Sequence, residues 1–204
     1  MQDKQFEWLN EAPEWRDSNS TLTMRTGPLT DFWRRTFEEH SPDGHVIIDN
    51  GHVYYEMVDG DFRVSVKVMG DYKDQYDQAG LMVRQDEENW IKYSPEVIQG
   101  LWAGRYPYRM GSICLGCAYT YNGRSEWSIL PEFPENPEAF WLRISREKRT
   151  FLVDFSLDGK EFKLVKLLSF PEAAPLMVGR YAASPTGTGF TATFDEYSVG
   201  PVEW

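Results

Sequence analysis

The sequence predicts an all-β protein, an antiparallel sandwich or barrel of about twelve to fourteen strands without helices. Two observations carry the prediction. Apolar and polar residues alternate with period two through most of the chain, and turn dipeptides recur between the alternating runs at hairpin spacing. A third excludes the alternative. No stretch has the spacing of an amphipathic helix, and the proline-rich "ILPEFPENPEAF" (Ile129 to Phe140) reads as a loop.

The elements follow in chain order. "HVIIDNGHVYYEM" (His45 to Met57) sets Asn50-Gly51 between two β-rich runs, a hairpin signal. "DFRVSVKVM" (Asp61 to Met69) puts Phe62, Val64, Val66 and Val68 on one side and Arg63, Ser65 and Lys67 on the other. "FWLRISREKRTFLVDFSLDGKEFKLVKLL" (Phe140 to Leu168) reads as three strands, with Asp158-Gly159 as a tight turn between the last two. "LMVGRYAAS" and "GFTATFDEYSV" complete the set, separated by the loop "SPTGTG".

A chain of 204 residues suits one domain, taken as 1–204, and is long enough to bury a core without disulfides or metal. Net charge is −11 and the isoelectric point about 4.8. A field of that sign repels phosphate backbones and anionic lipids, so neither nucleic acid nor a membrane surface is an expected partner. Neutral, cationic or metal-ion ligands are favoured. No apolar run approaches the length of a membrane span, and "MQDKQFEWLNEAPEW" lacks the pattern of a secretory signal. The expected location is cytoplasmic, in keeping with only two cysteines.

"YDQAGLMVRQDEENWIKYSPE" (Tyr76 to Glu96) carries the functional question. Ala79, Leu81 and Val83 should face the core, as should Ile91 and Tyr93 on the returning strand. A loop centred on Glu87 then pairs Arg84 with Trp90, Met82 with Lys92 and Gln78 with Glu96. A slip of one residue would bury Lys92 or Arg84 among apolar groups. Pro95 is a candidate bulge beside Glu96. The face away from the core gathers an amide, a guanidinium, an indole, an ammonium and a carboxylate. An indole stacks on a pyranose ring and planar polar groups bind its hydroxyls, so the pattern suits a sugar. The plainer alternative is a solvated sheet face with cross-strand charge pairs.

"PLTDFWRRT" (Pro28 to Thr36), "DGH" (Asp43 to His45), "YDQAGLMVR" (Tyr76 to Arg84), "ENWIK" (Glu88 to Lys92), "SEWS" (Ser125 to Ser128) and "FSLDGKEFKLVK" (Phe155 to Lys166) occur in this order. Together they resemble the DUF1349 family. The resemblance implies a concanavalin A-like jelly-roll sandwich of two antiparallel sheets with a concave groove, in a superfamily that contains lectins and glucanases. It marks Asp31, Trp33, Arg35, Tyr76, Asp77, Gln78, Arg84, Trp90, Lys92, Glu126 and Trp127 as groove positions. Family members commonly carry Asp where Glu126 stands, and the segment after Lys92 is longer and more aromatic than the family pattern.

Three functions follow as expectations. The first is a carbohydrate- or glycoconjugate-binding domain. Trp90 would stack, Gln78, Arg84, Lys92 and Glu96 would bind hydroxyls or an acidic substituent, and Asp31, Trp33, Tyr76 and Trp127 would line the groove. The second is a saccharide-active enzyme with Glu96, Glu126 or Asp77 as acid and base; hydrolysis needs two carboxyls across the bond. The E-x-D-x-x-E pattern of retaining glucanases of this fold is absent from the sequence. The third is a regulatory protein acting through a protein partner, in line with the family's enolase-linked name.

Other groupings are weaker. Cys114 and Cys117 form C-x-x-C in a strand context, which turns them to opposite faces beyond disulfide reach. His40, His45 and His52 cluster in sequence; His45 and His52 flank the Asn50-Gly51 turn, with no third metal ligand evident. No cofactor is expected. "DGD" (Asp59 to Asp61) and "FDEY" (Phe194 to Tyr197) are candidates for a structural Ca²⁺.

Overall fold

A computed structural model describes residues 5–36, 46–98, 112–130, 133, 136–170 and 175–202. Its sixteen strands are β1 (Glu7–Leu9), β2 (Glu14–Ser18), β3 (Thr21–Arg25), β4 (Phe32–Arg34), β5 (Ile47–Asp49), β6 (His52–Val58), β7 (Phe62–Gly70), β8 (Gln78–Asp86), β9 (Asn89–Ile98), β10 (Ser112–Tyr121), β11 (Arg124–Ile129), β12 (Phe140–Glu147), β13 (Thr150–Ser156), β14 (Lys163–Ser169), β15 (Leu176–Ala183) and β16 (Thr191–Gly200). No helix occurs among the described residues, and hence none long and apolar enough to cross a membrane.

Two seven-stranded antiparallel sheets face each other. The front sheet runs β1-β6-β15-β8-β9-β10-β11 and the back sheet β14-β13-β12-β7-β16-β3-β2. This is the all-β sandwich that the alternation implies, with the concanavalin A-like architecture of two antiparallel sheets that the family resemblance implies. Between the sheets lies the main core. Phe62, Val64, Val66 and Val68 of β7 and Phe140, Leu142 and Ile144 of β12 meet Leu81, Val83, Ile91, Tyr93 and Leu115 of the front sheet. Period-two alternation places each set on its inner face.

The strand pair β4–β5 forms a separate ribbon against the outer face of the front sheet. Phe32 of the ribbon joins Val53, Tyr55, Met82, Trp90, Ala118 and Tyr181 in a second buried cluster. The front sheet is therefore packed on both faces.

Two turn expectations need correcting. Asn50-Gly51 does not close a hairpin: β5 pairs with β4, whereas β6 pairs with β1 and β15. The dipeptide marks the passage from ribbon to sheet, with Asn50 and Gly51 N–H both donating to Asp31 O at 3.0 Å. A side chain at Gly51 would collide with the Phe32 ring at 2.3 Å, so the glycine serves close approach. Asp158-Gly159 does lie between β13 and β14, but in a longer connection. The Asp158 carboxylate accepts from Lys160 and Glu161 N–H at 2.8 and 3.0 Å, which organises that loop as an Asx-type turn.

Cys114 and Cys117 are buried on opposite faces of β10, as strand geometry requires, and form no disulfide with each other. His40, His45 and the "DGH" motif lie outside the described residues. His52 is built into the fold: its Nε2 accepts from Gly27 N–H at 3.0 Å and its Nδ1 lies 2.8 Å from Asn10 O. Asp59 and Asp61 accept backbone N–H groups of Gly60 and Lys148, and Asp195 accepts from the Thr21 hydroxyl. Among the described residues no three His, Cys, Asp or Glu side chains gather as a metal site.

Candidate functional site

The hairpin β8–β9 has the register that its apolar pattern selects: Gln78 opposite Glu96, Met82 opposite Lys92, Arg84 opposite Trp90. The irregularity falls between Arg84 and Asp86, at the turn, and not at Pro95. Ala79, Leu81, Val83, Ile91 and Tyr93 point into the main core, so Gln78, Arg84, Trp90, Lys92 and Glu96 share the outer face.

That face is roofed where Trp90 stands. Trp90 is 0% exposed, with Phe32 edge-on at 6.3 Å between ring centroids. The expectation that Trp90 stacks on a ligand is corrected: no ring face is open, because the ribbon that completes the fold lies on it. Trp90 is a core residue of the second cluster. Arg84 is likewise engaged. Its guanidinium grips Asp49 of the ribbon through two parallel bonds, 2.6 and 2.8 Å. Asp49, at the end of β5, was not among the sequence candidates.

Asp31 does not pair with its chain neighbours. Its Oδ1 accepts from Lys92 Nζ at 2.6 Å, while Arg34 and Arg35 both turn to Glu88 at 3.5 Å. Trp33 packs partly buried beside the second cluster, and its Nε1–H donates to Thr36 O at 2.9 Å. It is a component of the ribbon more than a groove wall.

The opposite end of the face is built differently. Glu96, 5% exposed, reaches across Gly116 of β10 and accepts from Trp127 Nε1–H through Oε1 at 2.8 Å. A Cβ on Gly116 would sit 1.5 Å from that oxygen, so this glycine makes room for the carboxyl. Tyr76 stands edge-on to Trp127, with centroids 6.1 Å apart and planes at 82°. Both are half-buried, and they pack with Ile98, Cys114 and Ile129. Tyr76 holds a left-handed backbone, φ 66°, uncommon for a bulky residue. Its N–H donates to Val97 O at 2.8 Å and its carbonyl accepts from Gln78 Nε2 at 3.0 Å. Behind Gln78, Tyr181 OH donates to Gln78 Oε1 at 3.2 Å and shares a 2.6 Å bond with Ser94 Oγ. Gln78 is thus oriented on both its oxygen and its nitrogen.

Burial pushes the Glu96 carboxyl up to about 7, and Asp31 adds to the rise; Lys92 and the Trp127 hydrogen bond pull the other way. Burial also raises the Tyr181 hydroxyl well above the ordinary tyrosine value. A carboxyl poised near neutrality beside two aromatic rings is able to accept a ligand hydrogen bond or to hold a proton.

The other proposed acids do not join it. Asp77 is fully buried, with Oδ2 accepting from Lys73 and Asp74 N–H at 3.0 and 2.9 Å and Oδ1 from Ser184 Oγ at 2.6 Å. It fastens the turn that carries Tyr76. Glu126 lies opposite Tyr119, whose ring packs against the main core, so it sits on the reverse face of β11 from Trp127. Asp31, not Glu126 or Asp77, is the carboxyl that acts electrostatically on Glu96.

A family model described as "Protein of unknown function (DUF1349)" matches residues 8–202. A relative from Saccharomyces cerevisiae, "Regulation of enolase protein 1", is 34% identical over 192 residues, covering 94% of this chain and 87% of that protein. A solved structure of a functionally unknown protein from Saccharomyces cerevisiae superposes with a TM-score of 0.84 at 32% identity, covering 98% of each chain. The GH43 protein BlXynB from Bacillus licheniformis matches 97% of this chain and 37% of its own, with a TM-score of 0.69 at 14% identity, a likeness of fold alone.

Proposed function

We propose, from the premise that this chain belongs to the DUF1349 family, that it is a carbohydrate-binding domain whose ligand sits at the Tyr76–Trp127 end of the front sheet's outer face. One observation carries the reading. A buried carboxyl, Glu96, bonds to the edge of a half-buried indole beside an oriented amide and a Lys92–Asp31 pair. A sandwich gains nothing from burying that set, because desolvating charged groups costs several kcal/mol per ion, roughly. A hydroxyl-rich ligand uses all of it: rings for the sugar face, and amide and carboxyl for its hydroxyls. The fold also recurs over 38% of the length of a protein described as a GH43 glycoside hydrolase, a likeness of fold alone. Trp127, not Trp90, is the stacking residue in this reading.

The test is intrinsic tryptophan fluorescence during titration with a panel of neutral and acidic mono- and oligosaccharides. A saturable change in the wild type should vanish in Trp127→Ala and persist in part in Trp127→Phe, with both variants cooperatively folded. An unchanged response in Trp127→Ala would remove the ligand from this end of the face. Product analysis on the same mixtures separates binding from catalysis, for which Glu96 and the electrostatically coupled Asp31 are the candidate carboxyls.

A second reading rests on the 34% identical relative, whose name speaks of enolase regulation. In that reading the domain acts through a protein partner. Co-purification of enolase with the wild-type chain, unaffected by saccharides, would favour it.

A further inference from the structure

Among the described residues, the buried cations against the outer face of the front sheet each have a carboxylate partner. Arg84 is bound by Asp49, Lys92 by Asp31, and Arg34 reaches Glu88. Glu96 is a buried carboxyl on that face whose neighbouring cation, Lys92, is already bonded to Asp31. Its hydrogen bond from Trp127 occupies Oε1 and leaves Oε2 over. Oε1 is held by an indole N–H donor, and the walls about Glu96 are the rings of Tyr76 and Trp127 with Ile98, Ile129 and Cys114. Among the described residues no three His, Cys, Asp or Glu side chains gather there to hold a metal ion. The walls do suit an ammonium, which is attracted to the faces of Trp and Tyr and to a carboxylate at once.

We infer that the Glu96 corner is an ammonium-binding subsite, and that the saccharide taken by this face is an amino sugar. This rests on the carbohydrate reading above and narrows it. A uronate is disfavoured, since both neighbouring cations already hold carboxylates and Glu96 would face the ligand's own charge.

Binding is linked to protons. The groups that face Glu96 are Lys92 on its own strand, Asp31 before β4, Trp127 on β11, Tyr181 on β15 and, electrostatically, Cys117 on β10. With its carboxyl near 7 in the free protein, Glu96 is mostly protonated at pH 5 and must ionise to meet an ammonium. Affinity for an amino sugar therefore rises with pH until Glu96 is ionised. The available carboxylate grows from about 1% to about half between pH 5 and pH 7, so the gain is roughly 50-fold.

Isothermal titration with glucosamine, glucose, glucuronic acid and ethanolamine, at pH 5 and pH 7, on wild type and Glu96→Gln, decides the matter. Glucosamine should bind more tightly than glucose at pH 7 and lose that advantage at pH 5. Glu96→Gln should abolish both the preference and the pH dependence, weakening glucosamine far more than glucose. Glucosamine no tighter than glucose, or equal losses for both sugars in Glu96→Gln, would overturn the amine subsite and leave the carbohydrate reading standing. Ethanolamine binding with the same pH profile and no response to any sugar would keep the ammonium site and overturn the amino sugar along with the carbohydrate reading.

Discussion

Replacing Glu96 by Gln removes one proton-binding group and little else. The amide keeps an oxygen for Trp127 Nε1–H and nearly the same volume over Gly116. The wild-type carboxyl sits at about 7 in the folded chain against 4.5 for an unburied one. The folded state therefore holds this proton more tightly than the unfolded state. That preference stabilises the fold fully below pH 4.5 and is lost as pH rises to about 7. A shift of this size corresponds to about 3 kcal/mol, from about 1.4 kcal/mol per pKa unit. Glu96→Gln has no such loss, so its stability relative to wild type should climb by about 3 kcal/mol between pH 4.5 and pH 8. Urea unfolding followed by far-ultraviolet circular dichroism at half-unit pH steps gives both curves. The difference between them is the quantity to read, because His52 acts in the opposite sense on each. A flat difference would mean that Glu96 is ionised at ordinary pH in the folded protein, and the argument from its burial would be wrong.

Further outcomes follow from the same geometry. Gly116→Ala should destabilise the protein by about 1–3 kcal/mol through overpacking against Glu96, and that loss should shrink in the Glu96→Ala background. Additive losses would show that the two positions do not touch. Trp90→Ala should cost about 3–5 kcal/mol in chemical denaturation, as expected for a large core side chain; a loss under about 1 kcal/mol would place the ring at the surface. Asp49→Ala leaves the buried Arg84 guanidinium uncompensated and should cost roughly 3–5 kcal/mol, with Arg84→Met/Asp49→Ala less damaging than Asp49→Ala alone. Burial lowers the His52 pKa below its ordinary 6.5, outweighing its hydrogen bonds to the backbone. Its folded state thus resists protonation, and stability held above pH 6.5 is lost as pH falls below it. His52→Gln should flatten that limb, measured against wild type by thermal melts from pH 5 to pH 8.

The hairpin was legible because its information is local. Two apolar sets and one short turn leave a single register that keeps Lys92 and Arg84 out of the main core. What covers the outer face was not legible in the same way. Arg84 and Asp49 are 35 positions apart, and nothing in either segment names the other. Phe32 reads as one more alternating aromatic until the ribbon is laid on the sheet, and only then does Trp90 become interior. Glu96, a candidate from the hairpin pattern, has a second signal on the neighbouring strand. Gly116 interrupts "CLGC" within a strand, the mark of something approaching closely, and the carboxyl of the facing strand is what approaches. Asn50-Gly51 misled because the dipeptide reports tight backbone packing as readily as a hairpin. Glu126 misled because one residue of parity separates the face of Trp127 from its reverse.

The front sheet, packed on one side by the back sheet and on the other by the ribbon, is a middle layer. An ordinary sandwich strand offers substitution every second position on its solvent side. Here β8, β9 and much of β10 offer none, since both faces are interior. Sequence drift along these strands is confined to exchanges that preserve volume and pairing on whichever face they touch. In the proposed carbohydrate reading, new specificity would then arise at the ends of the strands, where Tyr76 and Trp127 stand. Tolerance of substitution is thereby divided between a constrained scaffold and a freer rim.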